Sequence, residues 1–264
     1  MPWTPLHANH AIEQVVITIS FNEPVTSKLL QSVAQKMRPV ASAKGLATNV
    51  ELKGFAVTIG GGPGAVAPSL ESTSAPGGYA FQRQSHTGAL LEALQIMPTE
   101  IKHLSSEYRR WSDFKRRMED VLFPTLEDIS ASVDVREVKM EYFDQFSNND
   151  PSPSLSDLLR ADSKYLPRFV EAERGPFHCH VGRFEKFDER ERRLINLNVD
   201  AFDAVNPSRR VVRILTLAAD SAPQGALSGT VAGRLDELHI LLKGMMLDTI
   251  TPATAGRIAL NVQA

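Results

Sequence analysis

Two histidines flank the single cysteine, in the order His178, Cys179, His180, within a stretch that reads as a β-strand. Side chains alternate faces along a strand, so both imidazoles share one face and Cys179 points to the other. Two imidazoles hold a metal only with a further ligand, and no third ligand is placed by spacing. The plainer reading is a pair of half-exposed histidines partnered by solvent or a carboxylate. Towards the C-terminus, RLDELHILLKGMM puts Asp236 three residues before His239, on one helix face. A zinc-protease helix needs two histidines one turn apart with a glutamate between them, and no second histidine stands here. His239 lies four residues after Leu235 at the flank of an apolar stripe, and reads as a packed, hydrogen-bonded histidine. The run Gly60-Gly61-Gly62-Pro63-Gly64 follows a strand, where a phosphate loop belongs. Such a loop needs Lys and Ser/Thr after its last glycine, and Ala65 and Val66 occupy those places, so the run reads as a connector. No nucleophile elbow occurs, the cysteine has no motif around it, and the acidic residues are scattered. No catalytic, cofactor or metal site is therefore assigned. His178, His180, Asp236, His239 and Trp111 remain as candidates for ligand or partner contact.

The elements that must position these residues follow from periodicity. IEQVVITISF (12–21) is β-branched at nearly every position, with Val15, Ile17 and Ile19 on one face, and predicts a strand. Thr26 or Ser27 caps a helix carrying Leu29, Leu30, Val33 and Met37, which Pro39 kinks or ends and Gly45 closes. A strand over 49–59 leads into a long mobile hairpin loop over 60–78, then strands over 78–85 and 89–96. A long amphipathic helix is predicted at about 104–129, its stripe running through Tyr108, Trp111, Phe114, Met118, Val121 and Leu122.

The second half repeats the order. A strand at 134–147 precedes a helix capped by Ser154 with Leu155, Leu158 and Leu159 inside. Strands follow at about 176–187, 191–203 and 209–220, separated by turns at Asp188–Glu189 and Asn206–Ser208, and a helix closes the chain at about 230–250. Each half thus reads strand, helix, three strands, long helix, and in both the first helix has a proline the same distance after its cap, Thr26 to Pro39 and Ser154 to Pro167. Repeated element order is the level at which duplications persist. Consecutive strands on short turns are antiparallel, and an amphipathic helix covers the apolar face they leave. The expected fold is α+β: two tandem units, residues 1–131 and 132–264, with curved antiparallel sheets and helices on one face, of helix-grip or saddle-like form. The two units are able to join as one pseudo-twofold sheet.

The 264 residues carry 29 Lys+Arg against 31 Asp+Glu, for a net charge of −2, with 42% hydrophobic residues. That balance belongs to a soluble globular protein and excludes a polycationic binder of polyanions. Arg109, Arg110, Arg116 and Arg117 give the middle helix a basic side, but neighbouring acids such as Asp113 and Glu119 largely cancel it, which argues against a nucleic-acid face. No run of 18 apolar residues exists to cross a bilayer. One cysteine excludes a disulfide framework and points to a reducing compartment, and MPWTPLHANH reads as no secretory signal, so a cytoplasmic location is expected.

YRRWSDFKRRMEDVL, LDELHILLKGMMLDTIT, the opening IEQVVITISF and the strand VKMEYFDQF together resemble an uncharacterised, sporadically distributed prokaryotic family of similar length, sometimes encoded beside mobile or phage-defence genes. The resemblance covers nearly the whole chain. Members carry an Arg-Tyr-x-Asn-like strand after the middle helix, where this chain has Glu141, Tyr142 and Asp144. No catalytic residues are established for that family, so none is carried over; the resemblance implies a cytoplasmic accessory protein. The leading functional expectation is a non-enzymatic interaction protein that binds a protein partner or itself. Its alternatives are a small-molecule binding module using a cavity between sheet and helix, in which Trp111, Phe114, Met118, Met245 and Met246 compete as filling, and nucleic-acid binding along a concave sheet.

Overall fold

The structure is a computed structural model that describes residues 2–58, 69–150, 153–186, 192–205, 208–221 and 228–260. In chain order the elements are β1 (Thr4–Pro5), β2 (Ile12–Phe21), α1 (Ser27–Ala43), β3 (Thr48–Thr58), β4 (Ser69–Gln84), β5 (Leu90–Ile96), β6 (Glu100–Ser105) and α2 (Trp111–Ser130). There follow β7 (Val135–Asn148), a 3-10 turn (Leu155–Asp157), α3 (Phe169–Ala172), β8 (Phe177–Lys186), β9 (Arg192–Val205), β10 (Ser208–Ser221), α4 (Ser228–Thr249) and α5 (Pro252–Arg257). The fold is α+β. Among the described residues ten strands form one antiparallel sheet in the order β3-β4-β5-β6-β2-β7-β10-β9-β8, with β1 paired to β7. β2 and β7 meet at the middle of this order, pairing from Ile12 opposite Asp144 to Phe21 opposite Val135.

Alternation sorts the sheet into two faces. Val15, Ile17 and Ile19 of β2, Ile101 of β6, Met140 and Tyr142 of β7 and Ile214 of β10 are all buried on the face that α1, α2 and α4 cover. Burying each such side chain contributes about 1.5–3 kcal/mol, so this face supplies the core. Helix α1 packs on α2 and β4, α2 on β6 and α4, and α4 on β7 and β10, a contiguous helical layer. Lys36 to Asp128 (2.5 Å) and Lys44 to Asp120 (2.6 Å) tie α1 to α2 at the surface. The opposite face mixes apolar residues such as Phe143, Leu215 and Leu217 with charged ones, among them the pairs Lys102 and Glu100 (2.7 Å), Lys139 and Glu141 (3.0 Å) and Arg213 and Glu13 (3.5 Å).

Several local expectations hold, and four are corrected. Thr26 caps α1 by accepting from the Leu29 amide (3.3 Å), and Gly45 follows its end at φ +84°. Of the two outcomes expected at Pro39, ending the helix is the one corrected, because α1 runs on to Ala43; the proline is on the solvent side, where water can satisfy the carbonyl it leaves without a donor. The 60–78 stretch is not a loop throughout, because β4 begins at Ser69 and pairs with β3 from Ser69 opposite Thr58. There a long antiparallel partner overrides weak strand propensity, and the ladder is irregular around Pro76, which has no amide proton to give. The Gly60–Gly64 run and the Asp188–Glu189 turn lie outside the described residues.

The predicted helix at 104–129 begins only at Trp111. Ile101, His103 and Ser105 point inward with a period of two, forming β6, so four strands rather than three separate α1 from α2. Ser154 does not cap a full helix either. Its hydroxyl meets Ser156 (2.8 Å) and only a 3-10 turn follows. The reason is competition from the end of α4: the Arg160 amide donates to Thr249 O (2.9 Å) and the Thr251 amide to Leu158 O (2.8 Å), taking backbone groups a helix would need.

One glycine position is fixed by close approach. Gly78 has φ +148°, and a Cβ there would lie 2.5 Å from the Ile96 carbonyl oxygen.

Candidate functional site

The middle of the sheet carries a half-open cavity of about 1020 Å³ on its helical face. Its floor is built by β7 and β10. Tyr142 and Asp144, two residues apart on β7, share the inward face, and Thr216 of β10 lies directly opposite Tyr142. The connection from β6 to α2 adds Tyr108 and then Trp111, the first residue of α2; α4 adds His239, Leu242, Lys243 and Met246. Two irregular segments also line it, residues 7–11 ahead of β2 and residues 258–260 behind α5. Their positions are linked, because Arg257 donates to the Trp3 carbonyl (2.7 Å).

Three of the five candidate residues converge here. The Trp111 indole donates to Asp236 Oδ1 (2.8 Å), Lys115 donates to Asp236 Oδ2 (2.6 Å), and the Trp111 and His239 rings stack with centroids 4.6 Å apart and planes 9° apart. Asp236 and His239, spaced to share a helix face, thus hold Trp111 from two sides and fix α4 against α2. His239 Nδ1 lies 2.9 Å from the Tyr142 hydroxyl, and Tyr142 meets Tyr108 edge to face at 5.5 Å. Of the bulky residues expected as filling, Phe114, Met118 and Met245 are buried in the core, while Trp111 and Met246 line the cavity.

Electrostatics leave most of this floor neutral. Burial, reinforced by the Lys243 charge, lowers the His239 pKa to about 4, so its imidazole is uncharged at neutral pH. Burial pushes Tyr108 up to about 12 and Tyr142 well above the ordinary phenol value. At Asp236 burial acts upward, but the hydrogen bonds from Lys115 and Trp111 win and hold the carboxylate below its ordinary value.

Asp144 is different. It is 5% exposed, no hydrogen bond or ion pair reaches its carboxylate from the described residues, and burial alone raises its pKa to about 7. A buried carboxyl normally finds a partner; this one faces the cavity without one, poised to gain or lose a proton near neutral pH. The pattern Val138, Met140, Tyr142, Asp144, Phe146 shows the signal in the sequence: one acid among apolar and aromatic residues at successive inward positions of the strand. It was not among the candidates.

At the mouth three cations, Arg109, Arg110 and Lys243, stand beside one acid, Asp113. Arg109 is exposed and Lys243 half-buried, and neither has a carboxylate partner among the described residues; Arg110 has only a 3.8 Å contact with Asp113. Arg110 stands at the start of α2 and offers no side-chain cap to its first-turn amides.

His178 and His180 are elsewhere, exposed on β8 on the opposite face of the sheet, where His178 Nδ1 lies 2.6 Å from Asp200. Cys179 is buried on the helical face, as alternation requires. Among the described residues no group of three or more His, Cys, Asp or Glu is arranged to hold a metal ion, and no helix is long and apolar enough to cross a membrane.

A second charged cluster is structural. Glu92, 2% exposed on β5, receives Arg117 (2.6 and 3.0 Å), Arg83 (3.1 Å) and His103 (2.9 Å). Burial opposes ionisation there, but His103 and Arg117 outweigh it and hold the pKa at about 2. Arg117, expected on a solvated basic face, instead also donates to the Lys44 carbonyl and joins α1, α2 and the sheet.

Comparison with protein-family models and with curated proteins finds no match to the chain.

Proposed function

We propose that the protein is a small-molecule binding module whose ligand occupies the cavity between the middle of the sheet and helices α2 and α4. The observation that carries this reading is the Asp144 carboxyl, without a partner among the described residues, facing a space of about 1020 Å³. A cavity of this size, walled by aromatic and apolar side chains with a few polar groups converging on it, has the make-up of a ligand site. The test is native mass spectrometry of the purified protein beside a Thr216→Trp variant, which fills the floor. A bound small molecule in the wild-type spectrum that is absent from the folded variant is expected. A wild-type chain that carries none, and whose melting temperature no compound in a broad metabolite set raises, refutes the reading.

Protein interaction remains a second reading, favoured by β8. Among the described residues this strand ends the sheet order, and it carries Phe184, 74% exposed; an unpaired strand edge invites pairing with another chain. Sedimentation that shows a dimer for the wild type and a monomer for Phe184→Lys supports self-association through this edge; a monomer in both refutes that form of it. On the opposite sheet face Lys102 and Lys139 are each paired with a glutamate, which weighs against nucleic acid there.

The two halves are also proposed to descend from one duplicated unit. Supporting this, the first strand of each half (β2, β7) lies at the middle of the sheet with the last strand of that half (β6, β10) beside it, and the preceding strands step outward in both directions.

A further inference from the structure

We propose that the cavity selects a ligand with a planar group presenting two adjacent N–H donors to Asp144 and an anionic group held at the mouth by Arg109 and Lys243, the chemistry of a guanine nucleotide or of a guanidino acid. This rests on the reading of the cavity as a binding site. A carboxylate is an acceptor through both oxygens, and its strongest neutral or charged partner is a planar fork that meets both at once. With no donor from the described residues directed at it, Asp144 keeps both oxygens available. Among the common nucleobases guanine alone offers two neighbouring donors, N1–H and the 2-amino group. Adenine and cytosine set a donor beside an acceptor, and uracil sets one N–H between two carbonyls. A guanidinium offers the same fork.

The surroundings agree with a planar head and an anionic tail. Tyr108, Tyr142 and Trp111 present aromatic surface to a flat group. At the mouth, Arg109 and Lys243 are cations without carboxylate partners among the described residues, and with Arg110 they outnumber the one acid there, Asp113 in the first turn of α2. These cationic side chains favour an anion such as phosphate or carboxylate.

Calorimetric titration of the full chain with GMP, IMP, AMP, guanosine, L-arginine and guanidinoacetate tests this. IMP differs from GMP only in lacking the 2-amino donor. If guanine is the head group, GMP binds at least about 10-fold more tightly than IMP or AMP, and guanosine, without the anion, binds more weakly than GMP. If the head is a guanidinium, arginine or guanidinoacetate binds and GMP does not. Asp144→Asn abolishes binding in either case, and in the guanine case it gains affinity for xanthosine monophosphate, whose donor and acceptor match a carboxamide; a gain of this kind cannot come from misfolding. Arg109→Ala narrows the gap between GMP and guanosine. Equal affinity for GMP, IMP and AMP overturns the proposal. So does the binding of none of the six while another compound binds the wild type and not Thr216→Trp, a result that leaves the cavity's role as a binding site intact. Failure of every compound removes both.

Discussion

Replacing Asp144 with asparagine is expected to stabilise the protein, and to do so only at neutral and alkaline pH. The carboxyl has a pKa of about 7 when folded against an ordinary 3.8, so the folded state binds the proton more tightly than the unfolded chain. An acid raised in this way costs nothing below about pH 4, where both states are protonated. Stability then falls as pH rises through the interval and levels off above about 7. The interval spans roughly three pH units, and at about 1.4 kcal/mol each the penalty at pH 8 reaches about 4 kcal/mol. Asparagine keeps the shape and carries no charge, so it removes that penalty while resembling the protonated acid at low pH. Tyr108 and Tyr142 stay neutral across the window, and His239, which titrates near 4, gains charge only at its acid end and does so in parent and variant alike. For a chain of this length, about 4 kcal/mol corresponds to a rise in Tm of roughly 10 °C. Thermal unfolding of both proteins by circular dichroism from pH 4 to pH 8 reads this directly. Curves that gain equally at both ends, or a variant no more stable than the parent at pH 8, would refute the assignment of Asp144 as an uncompensated buried acid.

Glu92→Gln runs with the opposite sign. Its pKa of about 2 against an ordinary 4.5 gives stability that is present above pH 4.5 and lost as pH falls towards 2. Because Arg83 and Arg117 are partly exposed, the loss at pH 7 should be about 2–3 kcal/mol, and urea titrations at pH 7 and pH 3 should show the difference between variant and parent shrinking. Gly78→Ala should destabilise by about 1–3 kcal/mol through backbone strain and the Ile96 carbonyl; an unchanged urea midpoint would contradict the close approach. Trp111→Phe keeps a ring against His239 but deletes the donor to Asp236, and should cost about 1 kcal/mol. Pairing it with Asp236→Asn in a double-mutant cycle would show coupling if the contact is real, and plain additivity if it is not.

Strong periodicity over many residues was readable before any coordinates: β2, α1 and α4 fall within a few residues of their predicted places. β6 was hidden because six residues, Glu100–Ser105, abut a helical stripe whose Tyr108 fits the helix period from a turn outside it. The false helix at Ser154 had suitable leucines, but the partners of its backbone lie some ninety residues away at the end of α4. Asp236, His239 and Trp111 stood out by residue type, and only the approach of α2 to α4 makes them one cluster. Asp144 was legible as an inward acid on β7. What the sequence does not contain is the absence of a partner, since that depends on what β2, β10 and α4 bring to the same place.

The central pairing of β2 with β7 has a consequence for assembly. Tyr108 and Trp111 arrive from one half of the chain, whereas Tyr142, Asp144, Thr216 and His239 arrive from the other. The pocket therefore has no existence in either half-chain, and it forms only once the seam is zipped from Ile12 to Phe21. Any occupant touching both banks works as a clasp, adding its binding energy to the stability of the whole chain by mass action. Two co-expressed half-chains divided near residue 132 would report its presence by how firmly they hold together.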